Sequence, residues 1–454
     1  MRTLLAILLL VSWLPAMTKP SQLYEDEFAQ RRAVFLDELR ELNACAIIHS
    51  APTTSRNGNV DHDYRQHSDL IYLTGWDDSH CILLLTPQPE GSDKAEVTLF
   101  VAPRVPKTEV WTGPKKGLTE ARTLKGVDRS LAYDNFFETL SETGLGYDRW
   151  VYSHGNDRNF EQVLLRARET HRAAPPILQE ASSLMKEQRL IKSDSEIKML
   201  EQAIDITRAS LIETFKVIPS LNVEYEVQAE IEYGFMKRGV QRLGFPSIVG
   251  AGKNATYLHY EDNYGALEQG SLLLLDVGAE WDYYSADISR TVPINGVFSP
   301  EQALIYQLVL DAQTAAIESI KPGVSFRKPH HTAIRTLTAG LVELGLLEGQ
   351  VDTLISNKSY RKFFMHGTSH WLGLDVHDVG GYNRSDKQER KLRAGMVLTV
   401  EPGLYIVESD DVDSKWWNIG VRIEDDVLVT RGGRRVLSAE IPRTISEIEA
   451  LMQP

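Results

Sequence analysis

Two cysteines in 454 residues are too few for a disulfide framework, and neither has the C-x-x-C spacing of a thiolate metal site. Cys45 and Cys81 each lie in an apolar, strand-like run, so they read as buried thiols; a single disulfide is the other reading. Positive charge is also short. Lys and Arg number 49 against 63 Asp and Glu, for a net charge of −14, which disfavours a phosphate backbone as partner. No run after the N-terminus reaches the length of a membrane span. There is no G-x-S-x-G elbow, no P-loop and no dinucleotide fingerprint; Gly250-Ala251-Gly252 is too short for one. His366 and His370 are four apart, but Gly367 stands where H-E-x-x-H needs Glu. The apolar and charged fractions, 42% and 25%, are those of a globular chain long enough for two or three domains.

The N-terminus reads as a secretory signal over residues 1–16. Arg2 is its charged start, Leu4 to Leu14 its apolar stretch, and Pro15-Ala16 could precede cleavage. Leu14 breaks the small-residue rule, and an uncleaved anchor or an N-terminal helix are the other readings. The expected location is secreted or periplasmic.

Residues 24–175 alternate helix-like and strand-like segments and are expected to form an α/β domain. Glu25 to Leu42 reads as a helix, and Ala44 to His49, Ile71 to Thr74, Cys81 to Thr86 and Val97 to Ala102 as strands. Pro175-Pro176 and a charged stretch suggest a linker over 176–192. Ser193 to Glu196 fits a capping box and opens a second domain over 193–454. Strands are expected around 272–277 and 287–294, helices around 300–320 and 330–345, then strands at 364–378, 395–407 and 418–430. This is an α+β layout, helices over one face of an antiparallel sheet.

What is present in that second domain is a set of charges in apolar company. Asp276 ends Ser-Leu-Leu-Leu-Leu-Asp, Asp287 opens a strand-like run, Glu401 follows Met-Val-Leu-Thr-Val, and Glu424 lies in Gly-Val-Arg-Ile-Glu-Asp-Asp-Val-Leu-Val. A lone buried carboxylate is costly, and four that converged would need about four positive charges, such as two divalent ions supply. Asp276 and Asp287 are eleven residues apart with a polar stretch centred on Trp281 and Asp282. A symmetric hairpin there makes them cross-strand neighbours, roughly 4.5–5.5 Å apart at Cβ. Taken alone, they also read as two unrelated aspartates at strand ends. His370 adds an imidazole to a hard, oxygen-rich set, which favours Mn²⁺, Co²⁺ or Fe²⁺ over a structural zinc site. Two metals about 3.5–4 Å apart can hold a bridging hydroxide and polarise a carbonyl. His259 and His377 stand near these groups; each alone also reads as a structural histidine. His330-His331, after a Pro, receives no role.

These residues carry a resemblance to the pita-bread metallopeptidases, most closely the Xaa-Pro aminopeptidases (aminopeptidase P). The segments are Leu275-Asp276-Val277-Gly278, Ala286-Asp287-Ile288-Ser289-Arg290-Thr291, residues 365–380, Thr399-Val400-Glu401-Pro402-Gly403, and Val421-Arg422-Ile423-Glu424-Asp425-Asp426. Tyr64 to Gly75 and Glu109 to Gly113 resemble the family's N-terminal domain, so the likeness covers nearly everything after the signal. It implies an α+β fold: a C-terminal pita-bread catalytic domain, a curved antiparallel sheet covered by helices, preceded by a smaller α/β domain.

The resemblance implies two divalent metal ions, Mn²⁺ first, with Co²⁺, Fe²⁺ or Zn²⁺ as alternatives. They would be held by Asp276, Asp287, His370, Glu401 and Glu424. Glu401 would also shuttle a proton, and His259, His366, His377 and Arg422 would line the site. The implied reaction releases the first residue from peptides with proline second, by attack of the metal-bridged hydroxide. Prolidase, restricted to Xaa-Pro dipeptides, is the near alternative, and Ser369-His370-Trp371 resembles the aminopeptidase pattern more. A metal-free peptide-binding scaffold is the alternative of another class. Thr368 departs from the family, where a larger apolar residue is common. The resemblance also implies a homodimer or homotetramer, with Trp111 a candidate wall of a neighbour's entrance; an ordinary buried Trp is the other reading.

Overall fold

The computed structural model describes residues 25–453, apart from 89–91, 93, 95, 155, 156, 386 and 387. The expected signal at 1–16 lies outside the described residues. Among those described, no helix is long and apolar enough to cross a membrane.

The N-terminal part is built on a six-stranded mixed sheet. Its order is Arg129–Ala132, Val97–Val101, Cys81–Leu85, Ala44–His49, Arg149–Tyr152 and Ile177–Glu180. Alternation sends Cys45, Ile47, Ile82 and Leu84 into one core and Ala46, Ile48, Cys81 and Leu83 into the other. The two cysteines thus lie on opposite faces of the sheet, buried and free. That placement rules out a bond between them without unfolding the sheet.

Two expectations for this half change. The apolar run Ile71 to Thr74 is the end of the helix Ser68–Thr74, closed by Gly75 in the left-handed region at φ 64°. All seven of its residues are buried, and a short run buried on every side has no period to separate helix from strand. The stretch 176–192 is not an irregular linker. Ile177–Glu180 completes the sheet beside Arg149–Tyr152, and Ser182–Leu190 is a helix.

The second part opens as its sequence requires. Ser193 Oγ accepts from the Glu196 amide, and the Glu196 carboxylate returns to the Ser193 amide, starting the helix Asp194–Val217. That helix, with Glu224–Met236, Pro300–Glu318 and Lys328–Glu343, supplies apolar side chains to one large core. The strands they cover are antiparallel. Leu272–Val277 lies between Ile248–Ala251 and Ile288–Pro293. Val397–Val400 pairs with Asp425–Thr430, and Gly403–Ile406 with Ile419–Arg422. The Glu424 amide donates to the Ser289 carbonyl and the Arg422 amide to Thr291 Oγ1, joining the two strand groups where the charged residues lie.

The expected strand at 364–378 is mostly irregular. Only a short stretch runs beside Val397–Val400: the amides of Glu401 and Thr399 donate to the carbonyls of Thr368 and His370, and a single β-bridge joins Trp371 and Leu398. Past Gly373 the chain turns away, and its acidic side chains meet cations rather than a neighbouring strand.

Candidate active site

The hairpin that carries the two aspartates turns at Asp282-Tyr283, both in the left-handed region at φ 48° and 72°. This is the backbone of a two-residue hairpin turn, which non-glycine residues adopt here. Trp281 therefore pairs with Tyr284 and Asp276 with Ser289. The turn sits one residue later than the sequence centre suggested. Asp276 and Asp287 are diagonal rather than directly opposed, which still brings both to one face of the sheet. Gly278 makes room beside Asp287: a Cβ there would lie 1.9 Å from the Ala286 carbonyl oxygen.

Around that face the remaining groups converge. His370 Nδ1 lies 3.0 Å from the Trp371 carbonyl, which fixes the proton on Nδ1 and turns Nε2 to the carboxylates. Nε2 is 3.2 Å from Asp287 Oδ2 and 3.6 Å from Glu401 Oε1. Asp287, His370 and Glu424 each offer a ligand atom within 4.8 Å of the others, all three buried. Asp276 and Glu401 flank that trio. Arg422 Nη2 donates to Asp276 Oδ2 at 2.6 Å, and Asp276 Oδ1 is buried with no hydrogen-bond partner among the described residues. All nine residues singled out from the sequence line one cavity of about 390 Å³, including His259, His366 and His377.

The electrostatics say what this cluster lacks. Burial, then repulsion from neighbouring carboxylates, pushes Glu424 far above the usual carboxylate range. Burial also raises Asp287, against the pull of His370. Glu401 is pushed up to about 7 by burial, with His370 opposing. Burial lowers His370, yet the adjoining Asp287 carboxylate outweighs it and raises the imidazole to about 9. The carboxylates outnumber the cations that face them, Arg422 and His370. Such a set takes up protons unless cations replace them, and its donors, carboxylate oxygens and one Nε2, suit hard divalent ions.

Several contributors were not legible. Arg422 Nε donates to Ser289 Oγ, which donates to Glu424 Oε2. Arg422 Nη1 donates to Tyr405 Oη, which lies 2.8 Å from His366 Nε2. His366 Nδ1 donates to the Gly367 carbonyl, and burial with Arg422 nearby lowers this imidazole to about 3. Tyr405, buried between Leu404 and Ile406 in its strand, has apolar neighbours on both sides and carries no local signal of a site role. His330, given no role, lies in the helix Lys328–Glu343 with Nδ1 2.8 Å from Thr368 Oγ1. Arg290, buried beside Asp425, had a signal: a charge inside a strand.

Buried carboxylates and an imidazole meeting in an open cleft of an α+β fold fit the donor set of a metal-dependent hydrolase. Residues 198–431 match metallopeptidase family M24, and residues 28–152 match the aminopeptidase P N-terminal domain. The Xaa-Pro aminopeptidase of Haemophilus influenzae is 38% identical over 95% of this chain and 98% of its own length. Among solved structures, Pseudomonas aeruginosa aminopeptidase PepP superposes with a TM-score of 0.89, at 41% identity over 94% of this chain and 98% of that one. Zinc-substituted Escherichia coli aminopeptidase P in complex with product gives 0.88, at 35% identity over 94% and 98%. The chain belongs to metallopeptidase family M24, among the Xaa-Pro aminopeptidases. The expected fold, with its N-terminal domain ahead of a pita-bread domain, and the expected enzyme class both hold.

Proposed function

We propose that this chain hydrolyses the Xaa-Pro bond at the N-terminus of peptides. The observation that carries the reading is the buried meeting of Asp287, His370 and Glu424, flanked by Asp276 and Glu401, on the wall of an open cavity. Two divalent ions held by these five residues, Mn²⁺ first and Co²⁺, Fe²⁺ or Zn²⁺ as alternatives, would activate water and polarise the scissile carbonyl.

The chain's own groups do the rest. Glu401, with its oxygens 3.6 Å from His366 Nδ1 and 3.6 Å from His370 Nε2, would take and return a proton beside the reacting carbonyl. His377 stands with its ring 4.2 Å from that of His370, in reach of a carbonyl beside the ligands. His366 is kept neutral by burial and the nearby Arg422, while the Gly367 carbonyl and Tyr405 Oη fix its orientation, so it can face substrate without adding charge. Arg422 orients Asp276 directly and Glu424 through Ser289. A proline bond is a tertiary amide without N–H, so a site that works on it reads the carbonyl and the free amine instead of an extended backbone.

Two further parts of the reading rest on other residues. Trp111 is not buried: 87% of its surface is exposed, beside Val110 at 79%. That supports its use as the wall of a neighbour's entrance in a homodimer or homotetramer. Residues 1–16 support a secreted or periplasmic location.

Release of the N-terminal residue from Arg-Pro-Pro and from Gly-Pro, in parallel, with Mn²⁺ and with EDTA, tests the reading. Tripeptide cleavage that EDTA abolishes is expected. Cleavage of the dipeptide alone makes the chain a prolidase, and no turnover with metal bound overturns both.

A further inference from the structure

His377 has no side-chain hydrogen bond among the described residues; its ring meets only that of His370. Its position is therefore set by its backbone, and both flanks of that backbone are tied down. Arg189, 3% exposed, donates from Nη1 to Asp69 Oδ1 at 2.8 Å and from Nη2 to Asp375 Oδ2 at 2.7 Å and Asp378 Oδ1 at 2.5 Å. Lys192 Nζ donates to the other Asp378 oxygen at 2.9 Å. Ser68 Oγ donates to Asp375 Oδ1 at 2.6 Å, and Arg65 Nη2 to the Leu374 carbonyl at 2.6 Å.

We infer that this ion cluster is a clamp by which the N-terminal domain and the domain junction position His377. Ser68, Asp69 and Arg65 come from the first domain, and Arg189 and Lys192 from the junction. Asp375 and Asp378 lie two residues before and one residue after His377. The inference rests on the role given above to His377, and makes Arg189, Asp375 and Ser68 positioning residues. A buried ion network adds little net stability over apolar packing of the same volume. The two domains already share such packing, since Leu372, Leu374 and Tyr284 join the same apolar cluster as Leu70 and Leu73. What the cluster adds is geometry, and a displacement of about 1 Å of a group facing the reacting carbonyl costs up to about 100-fold in rate.

The test is a double-mutant cycle on the full chain loaded with Mn²⁺. Asp375 is partly exposed, so Asp375→Ala leaves no deeply buried gap. Asp375→Ala and Ser68→Ala should lower kcat about tenfold with KM and bound metal unchanged. Asp375→Asn, which keeps an acceptor for Ser68, should recover part of the loss. In a His377→Ala background, Asp375→Ala should lower the remaining turnover less than about twofold. With ¹³C-labelled histidine in the chain loaded instead with diamagnetic Zn²⁺, the NMR resonance that disappears in His377→Ala should shift or broaden in Asp375→Ala. Equal losses in both backgrounds, or an unchanged His377 resonance, overturn the clamp alone. Full activity of His377→Ala overturns the role of His377 and the clamp with it.

Discussion

Arg422 grips one oxygen of Asp276, at 2.6 Å, and the other is buried without a hydrogen-bond partner among the described residues. The same guanidinium reaches Glu424 through Ser289 and His366 through Tyr405. One residue thereby aims two ligands and one imidazole. Arg422→Met should weaken Mn²⁺ binding about 10–100-fold, measured by calorimetry. Arg422→Lys keeps the charge but not the planar fork that serves Asp276, Ser289 and Tyr405 together, and should lose at least about tenfold.

Acidity gives a second prediction. Glu401 stands at about 7 against an ordinary 4.5, and His370 at about 9 against 6.5. Both are raised, so each contributes stability below its unfolded value that is lost as pH rises through the folded one. His366, lowered to about 3, acts oppositely and only below its ordinary 6.5. Without bound cations the protein should lose stability as pH rises from 6.5 towards 9. Divalent ions that displace those protons should restore it. The gain in Tm on adding Mn²⁺ should therefore be larger at about pH 8.5 than at about pH 5.5 in differential scanning calorimetry.

Thr368 supplies the third. Its hydroxyl meets His330 Nδ1, and its carbonyl accepts from the Glu401 amide, so the helix Lys328–Glu343 braces a ligand-bearing loop. Thr368→Val leaves His330 Nδ1 without its partner and should cost about 1 kcal/mol of stability and severalfold in kcat. Thr368→Leu with His330→Leu removes both polar partners and should restore most of that stability, as followed by chemical denaturation.

How far the sequence carried the account depends on whether a residue's partners are local. The Ser193-to-Glu196 box closes within one turn, and it reads correctly from four letters. The four carboxylates among the five proposed ligands are legible because a carboxylate among leucines and valines is costly without a counter-charge. Their registry is not, because it hangs on Asp282 and Tyr283 taking a left-handed turn that neither residue advertises. The helix Ser68–Thr74 is lost for the same reason as Tyr405: burial on all sides removes the polar side that reveals a period. His330 and Thr368 are 38 residues apart, and Arg189 and Asp378 are 189 apart. No local pattern joins such pairs.

The central claim is that the carboxylate cluster exists to hold two divalent ions. Calorimetric titration of metal-stripped protein with Mn²⁺, read beside the metal content after dialysis, tests it most directly. The account predicts two ions per chain in the wild type and no more than one in Glu424→Gln, with tripeptide turnover rising only as the wild-type sites fill. Binding of fewer than two ions by the folded wild type at full turnover, or two ions retained by Glu424→Gln with undiminished affinity, would contradict it.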